Sequence, residues 1–341
     1  MLPAFGWQAV ITRWEFAPAV TIMVAVAGVL YLWGTWRVAR RHPARPWPRW
    51  RTAAFLGGLA VVVTATQSGI GAYDDVLFWD HMIQHLMLIM IAPPLLVVGQ
   101  PLTLLLHASR NPLHAWAKRL IRSRAVSFLT WPLFGLFAYV ATIVATHLTG
   151  LAHEILVNQA LHDSEHALYL VVGYLYFLPL IGREPIRWRM PYPLRIILLV
   201  VGMPVDTFTG LVLGYAGRWY TGGLAGPRPP GSPGPVEDAH WAGATMWIGG
   251  DAIMLSFIMI VVWMWSRDDR AASLGLGWLE AARKSNFDEL VARNPVSAMG
   301  PDVGPGGPGR GGIDDDEHLA SYNAYLARLN RPAPHDDHPA R

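Results

Sequence analysis

The chain contains no cysteine. Disulfides and thiolate metal ligation are therefore excluded, and the redox compartment cannot be read from thiols. Any soft-metal chemistry must use histidine and methionine. Charge is scarce as well. Only 15% of the 341 residues are charged while 52% are hydrophobic, and the mean hydropathy is +0.28. That balance places the chain among membrane proteins. HExxH, a phosphate-binding loop and a nucleophile elbow are all missing, so no hydrolase or nucleotide chemistry is indicated. The GxG-like strings near residues 300–312 follow no strand and open no helix, which removes a dinucleotide reading.

What is present is a set of long apolar runs. Crossing about 30 Å of hydrocarbon takes about 20 residues. Seven runs qualify: roughly 17–36, 53–72, 80–106, 126–147, 162–182, 194–216 and 240–265. The fold expected is all-α and polytopic, with seven transmembrane helices. The first run is not expected to be a cleaved signal, because Arg37, Arg40 and Arg41 follow it and no small-residue cleavage site does. Arginines concentrate in alternate loops. Arg45, Arg49 and Arg51 join the first three between spans one and two. Arg110, Lys118, Arg119, Arg122 and Arg124 lie between three and four. Arg183, Arg187, Arg189 and Arg195 lie between five and six. The opposite segments carry only Arg13, Arg218 and Arg228. Positive-inside bias then sets the N-terminus outside and the C-terminus in the cytoplasm. The same rule explains the basic pI: the arginines orient helices and meet anionic lipid, and nucleic acid is not a partner.

The organisation expected is a transmembrane domain over 1–265 and a polar, largely disordered cytoplasmic tail over 266–341. The outer loop 217–235 is rich in Gly and Pro and reads as flexible. Pro93 and Pro94 predict a kink near Ala92, because proline lacks a donor and clashes with the preceding turn. Gly99 and Pro101 weaken the same span again.

Histidine carries the chemistry. His81 and His85 begin span three, and His162 and His166 begin span five. Residues four apart share one helix face, and both spans enter from the outer side, so the pairs share a depth. Four imidazoles at one depth suggest a metal or redox site. His147 ends span four on that side, His153 lies in the outer loop, and His240 opens span seven there. Asp80, Asp163 and Glu165 flank the pairs and are candidates to fix imidazole tautomers, although acids also suit a helix N-terminus. Asp206 and Asp251 fall mid-span, where a carboxylate is costly. Each is a functional or paired interior group, or a protonated acid bonded to a neighbouring helix. Among the methionines, Met246 is the best thioether candidate, one and a half turns from His240. Met82, Met87, Met90, Met203 and Met254 read as packing.

Three stretches carry a resemblance: DHMIQHLMLIMIAPPLLVVGQPL at 80–102, LHDSEHALYLVVGYLYFLPLIGREP at 161–185 and DAHWAGATMWIGGD at 238–251. The sequence resembles the CtaG family of polytopic bacterial cytochrome c oxidase assembly factors over roughly residues 15–265. The resemblance implies a role in maturing a haem–copper oxidase in the bacterial cell membrane, by helping copper reach oxidase subunits. It points to His81, His85, His162 and His166 as copper ligands at the outer face, with His240 and Met246 as further ones, and to no enzymatic turnover. A second reading is a b-type haem or quinone-linked redox protein, with one histidine from each span on the iron. A third is a proton-coupled transporter using Asp206 and Asp251.

Overall fold

Among the described residues six helices are long and apolar enough to cross a membrane, and a bent pair makes a seventh when it is taken as one span. They belong to a computed structural model that describes residues 4–215 and 228–268. The spans are α1 (Pro18–Arg41), α2 (Arg49–Tyr73), α3 (Phe78–Ala108), α4 (Pro132–Leu148), α5 (Gln159–Ile181), α6 (Tyr192–Tyr215) and α7 (Pro235–Asp268). α4 is continued, after a 72° bend, by the short helix Leu151–Val157. No strand occurs among the described residues. The spans match the seven apolar runs with shifted ends. The largest shift is in α4, because Leu113–Ile121 and Arg124–Leu129 form two separate short helices ahead of it. Almost all of the tail 266–341, and residues 216–227 of the 217–235 loop, lie outside the described residues.

α3 is the central span. Of its most apolar stretch 61% is buried, against 17% for α1. It packs against α2, α5 and α7. Its two prolines do not snap it at Ala92. Instead a π-helical turn over Met87–Ile91 precedes them, and α-helix resumes at Ala92. The π turn lies where the helix must adjust to Pro93 and Pro94, which lack the backbone donors an α-helix would use there. The expected second weak point is a true interruption. Gln100 adopts a left-handed conformation at φ 54°, and Pro101 starts a new helical segment. Glu184 caps that restart by accepting from Leu102 N at 3.0 Å and Thr103 N at 2.8 Å. Glu184 lies between α5 and α6, and burial pushes its carboxyl above the usual range against the pull of these hydrogen bonds.

The start of α3 is fixed from across the bundle. Asp238 in α7 is fully buried. It accepts from Phe78 N at 3.1 Å and Trp79 N at 3.0 Å, and pairs with Arg228 at 3.0 Å. A carboxylate at a helix N-terminus satisfies orphan donors and opposes the dipole. α5 meets α3 at Gly173. A Cβ there would strike the Ile89 carbonyl oxygen in the π turn and lie 2.7 Å from Pro93 Cγ. Only glycine permits this approach.

The two ends of the bundle differ. One holds the histidine pairs. The other holds a group of arginines stacked on aromatic rings: Arg37 over Trp33 at 4.8 Å, Arg40 over Trp36 at 4.1 Å, Arg51 over Trp47 at 5.0 Å and Arg267 over Trp263 at 4.5 Å. Arg41 donates to the Ala108 carbonyl at 2.7 Å at the same end. Such an aromatic and cationic belt suits a headgroup layer.

Gly173→Ala will lower the thermal unfolding midpoint in detergent, at a cost of about 1–3 kcal/mol from overpacking. Asp238→Ala removes a cap and leaves Arg228 unpaired. It will cost about 2 kcal/mol or more, and an unchanged midpoint would refute the cross-bundle cap.

Candidate metal centre

The two HxxxH pairs meet. The rings of His81 and His85 lie 4.1 Å apart between centroids, those of His162 and His166 lie 4.3 Å apart, and His81 stacks on His162 at 5.1 Å and 17°. His81, His85 and His162 are 2–4% exposed, and His166 is half-buried. α3 brings its pair inward because its first turn is locked by Asp238. α5 starts one turn above its own pair, where Asn158 caps it by accepting from Ala160 N at 3.0 Å.

Two carboxylates complete two groups. His81, His85 and Glu165 form one. Asp74, His162 and His166 form the other. Within each group the potential ligand atoms lie within 4.8 Å of one another. In the first group, Glu165 Oε2 faces His85 Nε2 at 3.4 Å with both side chains buried. Two ligands about 2.0–2.1 Å from a tetrahedral ion would be about 3.3 Å apart. In the second group, Asp74 Oδ2 stands 3.8 Å from His162 Nε2. Asp74 lies between α2 and α3, where desolvation, aided by the neighbouring Asp75, pushes its carboxyl well above the usual range.

Hydrogen bonds fix which nitrogens are bare. His147 Nδ1 lies 3.1 Å from the Ile143 carbonyl, which can only accept. Nδ1 of His147 therefore carries the proton, and in the neutral ring Nε2 is the acceptor. His85 Nδ1 approaches that Nε2 at 3.2 Å and must donate to it. The lone pair of His85 is left on Nε2, aimed at Glu165. In the second group, His166 Nε2 donates to Gln84 Oε1 at 2.9 Å, while Gln84 Nε2 donates to Asp74 Oδ2 at 2.7 Å. That leaves the lone pair of His166 on Nδ1. Thr146 and Tyr169 share a 2.6 Å hydrogen bond beside His147, and the Tyr169 ring packs on His85 at 4.5 Å.

Every member of the first group has a buried polar atom that makes no hydrogen bond: His81 Nδ1, His85 Nε2 and Glu165 Oε2. His162 Nε2 in the second group is the same. Orphaned buried acceptors are costly, and a cation satisfies acceptors that cannot satisfy each other. The hollow they line, with Met82, Thr146, Ala152, Ile155 and Leu156, leaves about 10 Å³ for the centre of a water-sized sphere, room for one water or a small ion. The helix Leu151–Val157 covers it through Ala152, Ile155 and Leu156.

Not every sequence-selected residue arrives here. Asp163 is exposed and accepts from Gln159, so it fixes no imidazole; it points away from the face that carries His162 and His166. Asp80 is buried, but neither of its oxygens has a hydrogen-bond partner, on a ring or elsewhere. His240 is exposed and joins neither group. Met246 is buried in the general core, and Met82 is the thioether that lines the hollow. Asp206 is fully buried and accepts from the Tyr139 hydroxyl at 2.8 Å. Asp251 is half-buried and accepts from Thr207 at 2.9 Å. Both acids are thus bonded to neighbouring side chains, away from the histidines. His153 is exposed. Sequence reasoning missed Asp74, Gln84, Thr146 and Tyr169. Gln84 had a signal, being a polar residue inside the HMIQH turn, and Tyr169 repeats the face of His162 seven residues on. Asp74 had none.

Residues 29–268 match the profile of a family described as cytochrome c oxidase caa3 assembly factor (Caa3_CtaG). An uncharacterized protein of Mycobacterium bovis is 32% identical over 332 residues, which cover 94% of this chain and 45% of that protein. One of Mycobacterium tuberculosis matches to the same extent. One of Mycobacterium leprae is 28% identical over 275 residues, 77% of this chain and 41% of that protein. The chain spans less than half the length of these curated relatives. No solved structure matches it.

His147→Phe removes the acceptor that orients His85 without removing a member of either group. An ion held by the first group would be weakened about 10–100-fold by this change, measured by competition with a chromogenic chelator. Unaltered affinity would show that His85 is oriented by other means.

Proposed function

The chain belongs to the cytochrome c oxidase caa3 assembly factor family, and on that premise we propose that it holds copper in the buried histidine–carboxylate cluster and passes it to an oxidase subunit in the same membrane. The observation that carries this reading is the orphaned set His81 Nδ1, His85 Nε2 and Glu165 Oε2, three buried polar atoms without hydrogen-bond partners on residues whose potential ligand atoms gather within 4.8 Å of one another. Neutral imidazole suits both copper states, and the Met82 thioether beside the hollow favours Cu(I). His81, His85, His162 and His166 do the holding. His147 and Gln84 set tautomers. His240 and Met246 are left out of the ligand set. The role is transfer without turnover, and copper is cargo. The arginine and tryptophan belt supports a cytoplasmic position for the opposite end, which sets the cluster at the outer face of a bacterial cell membrane. The expected cytoplasmic side of the C-terminal tail follows from the same orientation.

The haem reading is weaker on geometry. Stacked His81 and His162 rings 5.1 Å apart and a hollow with about 10 Å³ for a water-sized centre leave no slot for a macrocycle. The transporter reading loses its relay, because Asp206 and Asp251 are bonded to Tyr139 and Thr207 and not to the histidines.

A strain lacking this protein, complemented with His85→Ala/His162→Ala, will assemble an oxidase deficient in copper and activity, while membrane levels of the variant stay normal. Full oxidase copper in that strain would refute the copper role of the cluster. A Soret band in the purified wild-type protein would favour haem instead.

A further inference from the structure

We infer that the cluster is built for two metal ions side by side, one in His81, His85 and Glu165 and the other in Asp74, His162 and His166. This rests on the reading that the cluster holds copper, and it adds the number of ions and their charge. The sequence presents two like pairs, and four imidazoles around one ion is the simplest arrangement of them. The structure divides them differently. Each pair closes with a carboxylate brought from another part of the chain: Glu165 from α5 joins the α3 pair, and Asp74 from the end of α2 joins the α5 pair. His85 Nε2 is directed at Glu165, and His162 Nε2 faces Asp74. The stacked rings of His81 and His162, 5.1 Å between centroids, form the wall between the two groups. Ions on either side of it would sit within a side chain's length of each other.

Charge gives the second argument. Asp74 is 4% exposed and Glu165 is 3% exposed. Among the described residues neither pairs with an arginine or lysine; Asp74 faces His162 and Glu165 faces His85. To act as ligands both carboxylates must be ionised, and a buried ionised carboxylate without a counter-charge is expensive. One monovalent cation leaves one of the two uncompensated. Two monovalent cations, each on neutral imidazoles plus one carboxylate, leave the whole cluster neutral. The ligand chemistry therefore points to a pair of cuprous ions. The acceptors that set the ring tautomers are also duplicated and separate: His147 serves the first group and Gln84 serves the second.

The test is a count. The detergent-purified full chain is titrated with Cu(I) from a chromogenic chelator complex. Two equivalents per chain are expected. Glu165→Gln and Asp74→Asn, both near-isosteric, should each bind one, and the double variant none, with circular dichroism and gel filtration confirming intact folds. In a parallel sample loaded with Cu(II), spin coupling between neighbouring ions should give a half-field resonance that either single variant abolishes. One equivalent in the wild type, lost in both single variants, would mean one shared site; the pairing would fall while the copper reading stood. Two equivalents unaffected by either substitution would also overturn the assignment. No copper at all would overturn both.

Discussion

A buried imidazole nitrogen with nothing to bond to is an expense that folded chains avoid, and one end of this bundle holds three, on His81, His85 and His162. Their neighbours do not relieve them. For His85, the bond made on the far side of the ring fixes where the lone pair points, and His166 beside them is set in the same way. The Ile143 carbonyl sets the His147 tautomer, His147 sets His85, and Gln84 sets His166. Much of the rest of the structure serves this. Asp238 reaches across from α7 to fix the first turn of α3, Asn158 starts α5 at the right level, and Gly173 lets α5 approach α3 closely enough for the rings to stack.

The π turn of α3 belongs to the same arrangement. It comes directly after the His81–His85 turn and directly before two prolines. A span this deeply buried must satisfy its backbone internally. Helix is continuous from the histidine-bearing turn through the π turn into the segment that holds Pro93 and Pro94. The interruption is moved to Gly99–Gln100, where Glu184 supplies the missing bonds.

The spans were legible because apolar length is a direct consequence of bilayer thickness. The histidine pairs were legible because a spacing of four is a helix property. What was not legible came from tertiary placement. Asp163 and Glu165 flank the same histidine-bearing turn and look alike in the sequence, yet one faces out and the other lies on His85. His240 lies near the right level but on an exposed face, and nothing in its local sequence distinguishes those faces. Asp74 sits in a turn between spans and reaches His162 only because the end of α2 lies beside the start of α5.

The atoms gathered at the histidine end are ring nitrogens and carboxylate oxygens, with a single thioether alongside. None of the nitrogen and oxygen donors can be lost to sulfur–sulfur bond formation, so an oxidising exterior leaves them competent and no reductase is needed to regenerate them. Whether such a centre is filled is then independent of the thiol status of its surroundings.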